Sequence, residues 1–161
     1  MNVLIDVTNK DAQFMELCKA AAGLFSTCSR RQYAAFIVSE DNRVLSMGYN
    51  GVPSGFIHCK DGGCPRGSAD VKPVHGKDYS NCYASHAEAG ALLHSRGIPE
   101  NSRMYVNGPP CFDCAKLIVN TPIKKVFYLN DRAYPEWEEV QEFFGRASVR
   151  TICMGDKDAS K

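Results

Sequence analysis

The 161 residues suffice for one domain with its own core, at roughly 100–200 residues per domain. With 19 basic and 18 acidic side chains, the net charge is +1, which argues against a nucleic-acid partner, because affinity for a phosphate backbone needs clustered Lys and Arg. The hydrophobic fraction of 44% argues against disorder, and the apolar runs are too short to span a membrane, so we expect no membrane partner.

Hydrophobic periodicity predicts a single domain over residues 1–161 in which helices and strands alternate. Thr8 followed by Asp11 is typical of a helix cap at the start of the first helix. The predicted helices are 11–25, 84–95, 111–120 and 135–144, and the predicted strands are 33–38, 43–49, 103–107, 124–129 and 148–153. A hairpin followed by alternating strands and helices predicts an α/β fold, a three-layer α/β/α sandwich around a mixed sheet of about five strands.

Between the second strand and the second helix lies an insertion loop rich in glycine and cysteine, at about 50–83. Its residues 50–82 include six glycines, three prolines, three cysteines and two histidines, without hydrophobic periodicity. A structureless loop of this length is unusual inside a compact domain unless it is functional or held by other bonds. We therefore expect this loop to contribute to function or to be cross-linked.

Eight cysteines are the unusual feature of the composition. They are Cys18, Cys28, Cys59, Cys64, Cys82, Cys111, Cys114 and Cys153. The first residues show neither the basic nor the apolar segment of a secretion signal, which predicts a cytoplasmic location, in the host cell if the chain is viral. In a reducing compartment, cysteines serve as metal ligands, catalytic groups or small core residues.

Two short strings carry the chemistry, and each stands at the start of a predicted helix. Residues 86–88 read His-Ala-Glu, and residues 110–114 read Pro-Cys-Phe-Asp-Cys. Two cysteines three residues apart on one helical turn face the same way and can bind one ion. With His86, the thiols of Cys111 and Cys114 make three protein ligands, the number typical of a catalytic zinc with an open position for water.

Glu88 would stand beside that water without binding the metal, where a proton shuttle is needed. Alone, the Cys-x-x-Cys string is equally typical of a redox or structural site, and His-Ala-Glu says little. Together, in this order and about 25 residues apart, they match the signature of zinc nucleobase deaminases.

The chain resembles the cytidine deaminase-like superfamily, and within it the deoxycytidylate (dCMP) deaminases. The resemblance rests on Gly-Tyr-Asn-Gly-Val-Pro-Ser-Gly at 48–55, on His-Ala-Glu at 86–88 and on Pro-Cys-Phe-Asp-Cys-Ala-Lys-Leu-Ile at 110–118, and it extends over about 14–152. It implies zinc-dependent hydrolysis of dCMP, a small-molecule nucleotide, to dUMP and ammonia, with Glu88 moving the protons.

The resemblance also implies substrate contacts. Asn50 matches the family position that contacts the sugar hydroxyl, and Tyr134 falls near a position whose aromatic ring lies at the nucleotide pocket. The 5′-phosphate needs donors, and Arg30, Arg31 and Arg132 flank predicted strands. Alternatively, Asn50 is an ordinary turn residue, Tyr134 is a core or surface residue without a role in binding, and the arginines are solvated surface residues.

A second, structural zinc is bound in some members of this family. Cys28 and Cys59 fall at positions similar to its ligands, and His75 lies close to the family's histidine. Cys64 and Cys82 are further candidates. A closed tetrahedral site would give order to a loop with little core of its own. The alternative is that these thiols are free.

The family further implies a homo-oligomer, often a hexamer, with dCTP as activator and dTTP as inhibitor. The glycine-rich residues 51–55, with Lys60 and Arg66, are candidates for the triphosphate. Gly90 departs from the family, because many dCMP deaminases have Asn there, and this departure leaves 5-substituted dCMP open as substrate.

Three rival functions predict other features. A deaminase of a free nucleoside or a nucleic-acid base is the first, and a polymer substrate would require a basic surface. A non-enzymatic zinc-binding module is the second, but it has no need for Glu88. A thiol redox protein is the third, and it would not explain His86.

Overall fold

A computed structural model describes residues 8–68, 81–131 and 134–157. The helices are α1 (Asn9–Phe25), α2 (Pro65–Ser68), α3 (Ala87–Leu93), α4 (Phe112–Val119) and α5 (Trp137–Arg146), with a 3₁₀ turn at Cys59–Asp61. The strands are β1 (Ala34–Val38), β2 (Val44–Tyr49), β3 (Arg103–Val106), β4 (Lys125–Asn130) and β5 (Arg150–Asp156).

The five strands form one mixed sheet in the order β2-β1-β3-β4-β5. β1 is antiparallel to both β2 and β3, whereas β3, β4 and β5 run parallel. The predicted sandwich with an antiparallel hairpin and parallel crossovers is therefore confirmed. Among the described residues, no helix is long and apolar enough to cross a membrane.

Each face of the sheet has its own hydrophobic cluster. In the fully buried strand β1, Ala35 and Ile37 pack with residues of α3, α4 and α5. Phe36 and Val38 point the other way and pack with α1. This alternation follows from the two-residue period of a strand, and it places α1 on the face opposite to α3, α4 and α5.

Local capping signals fix where the first helix begins. The Thr8 side chain accepts a hydrogen bond from the Asp11 backbone N–H, and the Asp11 carboxylate accepts one from the Thr8 N–H, so the predicted cap is confirmed. The helix predicted at 84–95 is shorter, at Ala87–Leu93, because His86 already has extended backbone dihedrals.

The predicted insertion loop contains two short helical turns in its described part. The 3₁₀ turn at Cys59–Asp61 ends at Gly62, whose φ of 88° lies in the left-handed region that glycine adopts without strain. The helix α2 follows within a few residues. Residues 69–80 lie outside the described part, and the assignment of residues 1–161 to one domain stays a prediction.

A glycine contact sets how closely helix α3 approaches the sheet. A Cβ atom on Gly48 of β2 would lie 2.1 Å from the Ala87 carbonyl oxygen and 2.3 Å from the Ala91 nitrogen. Both atoms belong to backbone, which cannot move aside as a side chain can. Gly48 therefore determines the position of the helix that follows His86.

Replacing Gly48 by Ala should lower the free energy of unfolding by about 1–3 kcal/mol or more, the cost of overpacking a closely packed interior. Urea denaturation would measure it. Gly23→Ala is the matched control, because a Cβ at Gly23 in α1 would meet nothing within 4 Å. That control should stabilise the fold by about 0.5–1 kcal/mol. Equal effects of the two changes would contradict the close-packing argument.

Candidate metal centre and active site

Two helices begin next to each other at the candidate site. His86 is the N-cap of α3, and Cys111 is the N-cap of α4. The Cys111 thiol sulfur accepts a hydrogen bond from the Cys114 backbone N–H at 3.4 Å. An isolated β-bridge between Gly51 and Ser85 holds the chain directly before His86. Both motifs therefore stand at a helix N-terminus, as expected, although α3 begins at Ala87 rather than at residue 84.

The structure brings His86, Cys111 and Cys114 together. Their three ligand atoms lie within 4.8 Å of one another. The His86 Nδ1 atom is 3.3 Å from the Cys111 sulfur and 3.5 Å from the Cys114 sulfur. With Zn–S of about 2.3 Å and Zn–N of about 2.0–2.1 Å, tetrahedral ligands of these two types lie roughly 3.5 Å apart. The spacing and the donor types thus fit a zinc ion.

The same three groups perturb one another's protonation. The hydrogen bond with Cys111 raises the pKa of His86 to about 9 despite its burial. Hydrogen bonds from Cys114 and His86 lower the pKa of Cys111, whereas the hydrogen bond with Cys111 and burial raise the pKa of Cys114. Without metal, these shifts favour negative charge on Cys111 and positive charge on His86 over charge on Cys114.

Glu88 lies beside the trio as the second residue of α3. Its side chain is buried, with 6% of the residue exposed, and the Cys114 thiol lies 3.7 Å from its Oε2 atom. Burial raises the pKa of Glu88 to about 7. A carboxyl group with a pKa close to the working pH can both accept and donate a proton.

Asn50 is buried at the end of β2, and its side-chain amide is occupied by protein groups. Its Oδ1 accepts hydrogen bonds from the Tyr33 backbone N–H at 2.8 Å and from the Ser26 hydroxyl at 2.6 Å. Its Nδ2 donates to the Arg31 carbonyl at 2.8 Å. Asn50 therefore ties the segment before β1 to the end of β2, and its sugar contact stays a prediction.

Tyr134 lies near the trio. Burial raises its pKa, and the charges of Cys111 and Glu88 raise it further, while the Phe112 backbone N–H lowers it. The hydrogen bond with the Phe112 backbone puts its hydroxyl group near the start of α4, and its place at a nucleotide pocket stays a prediction.

The arginine candidates for the phosphate have protein partners. Arg31 pairs with Asp131 at 2.9 Å, and Arg30 donates from Nε to the Arg66 carbonyl at 3.0 Å. Arg132 lies outside the described residues. Their contact with a substrate phosphate stays a prediction.

The structure does not bring the second group of cysteines as close together. Among the described residues, the only set of three potential ligands within 4.8 Å is His86, Cys111 and Cys114. Cys59 and Cys64 both flank Gly67, where a Cβ would lie 2.1 Å from the Cys59 sulfur and 3.5 Å from the Cys64 Cβ. His75 lies outside the described residues.

Sequence patterns did not indicate Tyr33 and Asp131, which brace the loop before Cys111. The Tyr33 hydroxyl donates a hydrogen bond to Asp131 Oδ2 at 2.6 Å. In the sequence, Tyr33 is only the first residue of a predicted apolar strand. A Cβ on Gly108 would lie 2.4 Å from the Tyr33 ring, so this ring packs directly against Gly108. The contact joins residues 98 positions apart, and no local pattern announces it.

Known proteins share this fold and these motifs. The family model for the cytidine and deoxycytidylate deaminase zinc-binding region matches residues 8–130. This chain therefore belongs to the cytidine and deoxycytidylate deaminase family of zinc-binding proteins.

Several relatives are named deoxycytidylate deaminase. The Schizosaccharomyces pombe protein is 37% identical over 120 residues, which cover 73% of this chain but 36% of the relative. The Mycobacterium phage D29 protein is 38% identical over 123 residues, which cover 73% of this chain and 92% of the phage protein. The chain thus spans about a third of the yeast relative's length but most of the phage relative's.

A solved structure is similar over nearly the whole chain. It is the dCMP deaminase of the cyanophage S-TIM5 in complex with dCMP and dUMP, with a TM-score of 0.67 and 25% identity. The match covers 92% of this chain and 99% of the phage chain. It supports the cytidine deaminase-like fold described above.

Proposed function

We propose that this protein hydrolyses dCMP to dUMP and ammonia with one zinc ion at the catalytic site. The observation that carries this proposal is the buried Glu88 carboxyl next to the ligand trio of His86, Cys111 and Cys114. A purely structural zinc site has no need for a buried carboxyl group beside its ligands. The relatives named deoxycytidylate deaminase, and the phage structure with dCMP and dUMP, support the pyrimidine nucleotide as substrate.

His86 Nδ1 and the sulfurs of Cys111 and Cys114 would hold the zinc ion. A zinc ion bound there lowers the pKa of a coordinated water toward neutrality and so supplies the nucleophile for hydrolysis. The positive ends of α3 and α4 favour negative charge on the ligands at their N-termini. This arrangement helps to keep both sulfurs as thiolates, the form that binds metal.

Glu88 moves the protons of the reaction. Its carboxylate accepts a proton from the attacking water and delivers it to the ring nitrogen next to the carbon that bears the amino group. It then helps to protonate the amino group, which leaves as ammonia. Water supplies the oxygen and the hydrogens, so dCMP and water yield dUMP and ammonia in balance. The pKa of about 7 suits Glu88 to both directions of transfer.

Tyr134 and Asn50 are the proposed contacts to the nucleotide beyond the base. The Asn50 amide keeps one N–H without a partner among the described residues, since Nδ2 has two hydrogens and one is donated to Arg31. Asn50 can thus hold the backbone and still donate once to a sugar hydroxyl.

Gly90 bears on the choice of base substituent. A Cβ at this position would lie 3.4 Å from the Gly48 Cα and 3.9 Å from the Tyr49 nitrogen. A side chain there would project toward the end of β2, directly before Asn50. The alternative substrate, a 5-substituted dCMP, therefore belongs in any substrate test.

Replacing Glu88 by Gln should leave zinc bound and lower kcat by about 100-fold to 10,000-fold, the usual contribution of a general acid–base group. Stopped assays of ammonia release and elemental zinc analysis would measure both. Glu139→Gln, on the exposed side of α5, is the matched control and should keep normal activity. Near-normal turnover in Glu88→Gln would remove Glu88 from this role.

A substrate panel tests the function itself. Ammonia release should be fastest from dCMP among cytosine, deoxycytidine, dCMP, 5-methyl-dCMP, dCTP and a cytosine-containing oligonucleotide. Faster turnover of a nucleoside, of the 5-substituted nucleotide or of the oligonucleotide would favour the corresponding rival deaminase. A zinc-loaded protein that releases no ammonia from any of them would instead be a binding module.

Zinc binding should release about two protons at pH 7, because binding requires neutral imidazole and thiolates. One proton comes from His86, whose pKa is about 9 without metal, and one from Cys114, whose pKa is raised. Zinc affinity should therefore rise with pH, more steeply below about pH 9, where both protons are released, than above it, where only the Cys114 proton remains. Calorimetric titration of the metal-free Glu88→Gln protein in two buffers of different ionisation enthalpy would count the protons without a contribution from Glu88. Net release close to zero would contradict this charge state of the trio.

A second, structural zinc remains part of the proposal, with ligands among Cys28, Cys59, Cys64 and Cys82 and, outside the described residues, His75. Burial raises the pKa of the Cys64 thiol, but the N–H of Tyr83 and other donors outweigh burial and lower the pKa. Burial raises the pKa of Cys82, and the charges of Cys64 and Cys28 raise it further. The interactions of Cys82 with Cys64 and Cys28 support a shared cation, which would stabilise the thiolate forms of these residues.

The protein should then contain two zinc ions per chain, and Cys64→Ser should contain one. Elemental analysis after gel filtration would measure the ratio. Cys153→Ser is the matched control, because Cys153 is exposed and distant in sequence from both proposed sets of zinc ligands. This variant should retain two zinc ions. One zinc in the unaltered protein would remove the second site.

Regulation and assembly follow the same resemblance and stay expectations. We propose dCTP as activator, dTTP as inhibitor and a homo-oligomer, with the glycine-rich residues 51–55, Lys60 and Arg66 as the triphosphate candidates. Of these, Arg66 is buried, and its carbonyl accepts the hydrogen bond from Arg30. The cytoplasmic location likewise stays an expectation from the sequence.

A further inference from the structure

Tyr33 lies where three segments of the candidate site meet, although it is not a candidate metal ligand. It is the residue directly before β1, and it is partly buried. Its backbone N–H donates to Asn50 Oδ1 at 2.8 Å, and its carbonyl accepts from the Asn50 N–H at 3.1 Å. These two hydrogen bonds hold Asn50, the proposed sugar contact, against the start of β1.

The ring of Tyr33 contacts the second segment, the loop that leads to Cys111. A Cβ on Gly108 would lie 2.4 Å from Cε1 and 3.0 Å from Cδ1 of this ring, so only glycine allows the contact. Pro109 and Pro110 follow Gly108, and the fixed φ angle of proline leaves this short segment few other conformations. The ring therefore supports the approach to Cys111, a proposed zinc ligand.

The hydroxyl group of Tyr33 contacts the third segment, which follows β4. It donates to Asp131 Oδ2 at 2.6 Å, and the Asp131 side chain is only 13% exposed. Arg31 lies 2.9 Å from the same oxygen, so the acceptor is a charged carboxylate. Hydrogen bonds to ionised acceptors are shorter and roughly twice as strong as neutral ones. Burial raises the pKa of Tyr33, and the hydrogen bond with Asp131 raises it further, so the hydroxyl group keeps the proton that it donates.

Asp131 connects this hydroxyl group to Tyr134. The Asp131 carbonyl accepts a hydrogen bond from the Tyr134 backbone N–H at 3.1 Å. The Tyr134 hydroxyl group in turn interacts with the Phe112 backbone near the start of α4. Two hydrogen bonds through Asp131 therefore lead from the Tyr33 hydroxyl group to the proposed nucleotide contact, whereas the Tyr33 ring leads to the metal centre. The two parts of the side chain thus act on different parts of the site.

We propose that Tyr33 is a positioning residue for the nucleotide, and that its hydroxyl group holds Tyr134 in the place required for binding through Asp131. The inference rests on the proposed function, which assigns Tyr134 to the nucleotide pocket. A contact that is already held in place does not have to be ordered when the ligand binds, so less conformational entropy is lost. The Tyr33 hydroxyl group should therefore affect the KM for dCMP and the affinity for dUMP, but not kcat or the zinc content.

Tyr33→Phe tests this role, because it removes the hydroxyl group but keeps the ring against Gly108 and the backbone hydrogen bonds with Asn50. Calorimetry on the zinc-loaded full chain should show dUMP binding weakened about twofold to tenfold, the usual cost of ordering one side chain on binding. The KM for dCMP should rise by a similar factor with kcat unchanged, which is the signature of lost binding. Elemental analysis should find the same zinc content as in the unaltered protein.

Tyr128→Phe is the matched control. Tyr128 is a buried residue of β4, and its hydroxyl group accepts a hydrogen bond from Gln141 of α5 at 3.3 Å. Removing this hydroxyl group should lower the free energy of unfolding and leave dUMP binding unchanged. A purely structural hydroxyl group on Tyr33 would give the same pattern. Equal dUMP affinity of Tyr33→Phe, Tyr128→Phe and the unaltered protein would therefore overturn the inference.

A double-mutant cycle tests whether the effect passes through Tyr134. Tyr134→Ala should weaken dUMP binding by itself. Tyr33→Phe should then add little in that background, because no side chain is left to be held, and coupled residues are not additive. Full additivity would overturn the path through Asp131 and Tyr134. Failure of the proposed function would differ from both results, since the unaltered protein would then bind no dUMP and release no ammonia from dCMP, and the role of Tyr33 would fail with it.

Discussion

The candidate site depends on keeping several ionisable groups close together inside the protein. His86, Cys111, Cys114 and Glu88 lie within a few ångströms of one another, and each is at least partly buried. Charges removed from water are costly unless they are paired, so this group requires a balance of charge. Without metal, Cys111 and His86 favour opposite charges on each other, and a divalent cation would provide the balance when the ligands lose their protons.

The fold provides this arrangement through two helix N-termini. α3 and α4 pack on the same face of the sheet, and both begin with a ligand at the N-cap. Gly48 allows α3 to lie directly on β2, because any side chain there would meet the helix backbone. Tyr33 packs on Gly108 and so supports the segment that leads to Cys111. The spacing of the ligands thus depends on residues such as Gly48, Tyr33 and Gly108, which take no part in the chemistry.

The charged groups outside the site divide into two kinds. Several, such as the pair of Arg146 and Glu142, are exposed pairs within one helix that contribute little. The group around Asp131 is different, because it joins the ends of β4 and β5 to the segment before β1 and is only partly exposed. It therefore holds these three segments together at one end of the sheet.

Local patterns in the sequence predicted most of the elements, the mixed sheet and the grouping of His86, Cys111 and Cys114 with Glu88. Hydrophobic periodicity reports which face of an element is buried, and the spacing of Cys111 and Cys114 is a property of one helical turn. Only the tertiary structure decided that the Asn50 amide holds backbone groups, that Tyr33 meets Asp131, and that the Tyr33 ring packs against Gly108. These relations join residues far apart in the chain, and the side-chain types alone do not specify which partner each of them meets.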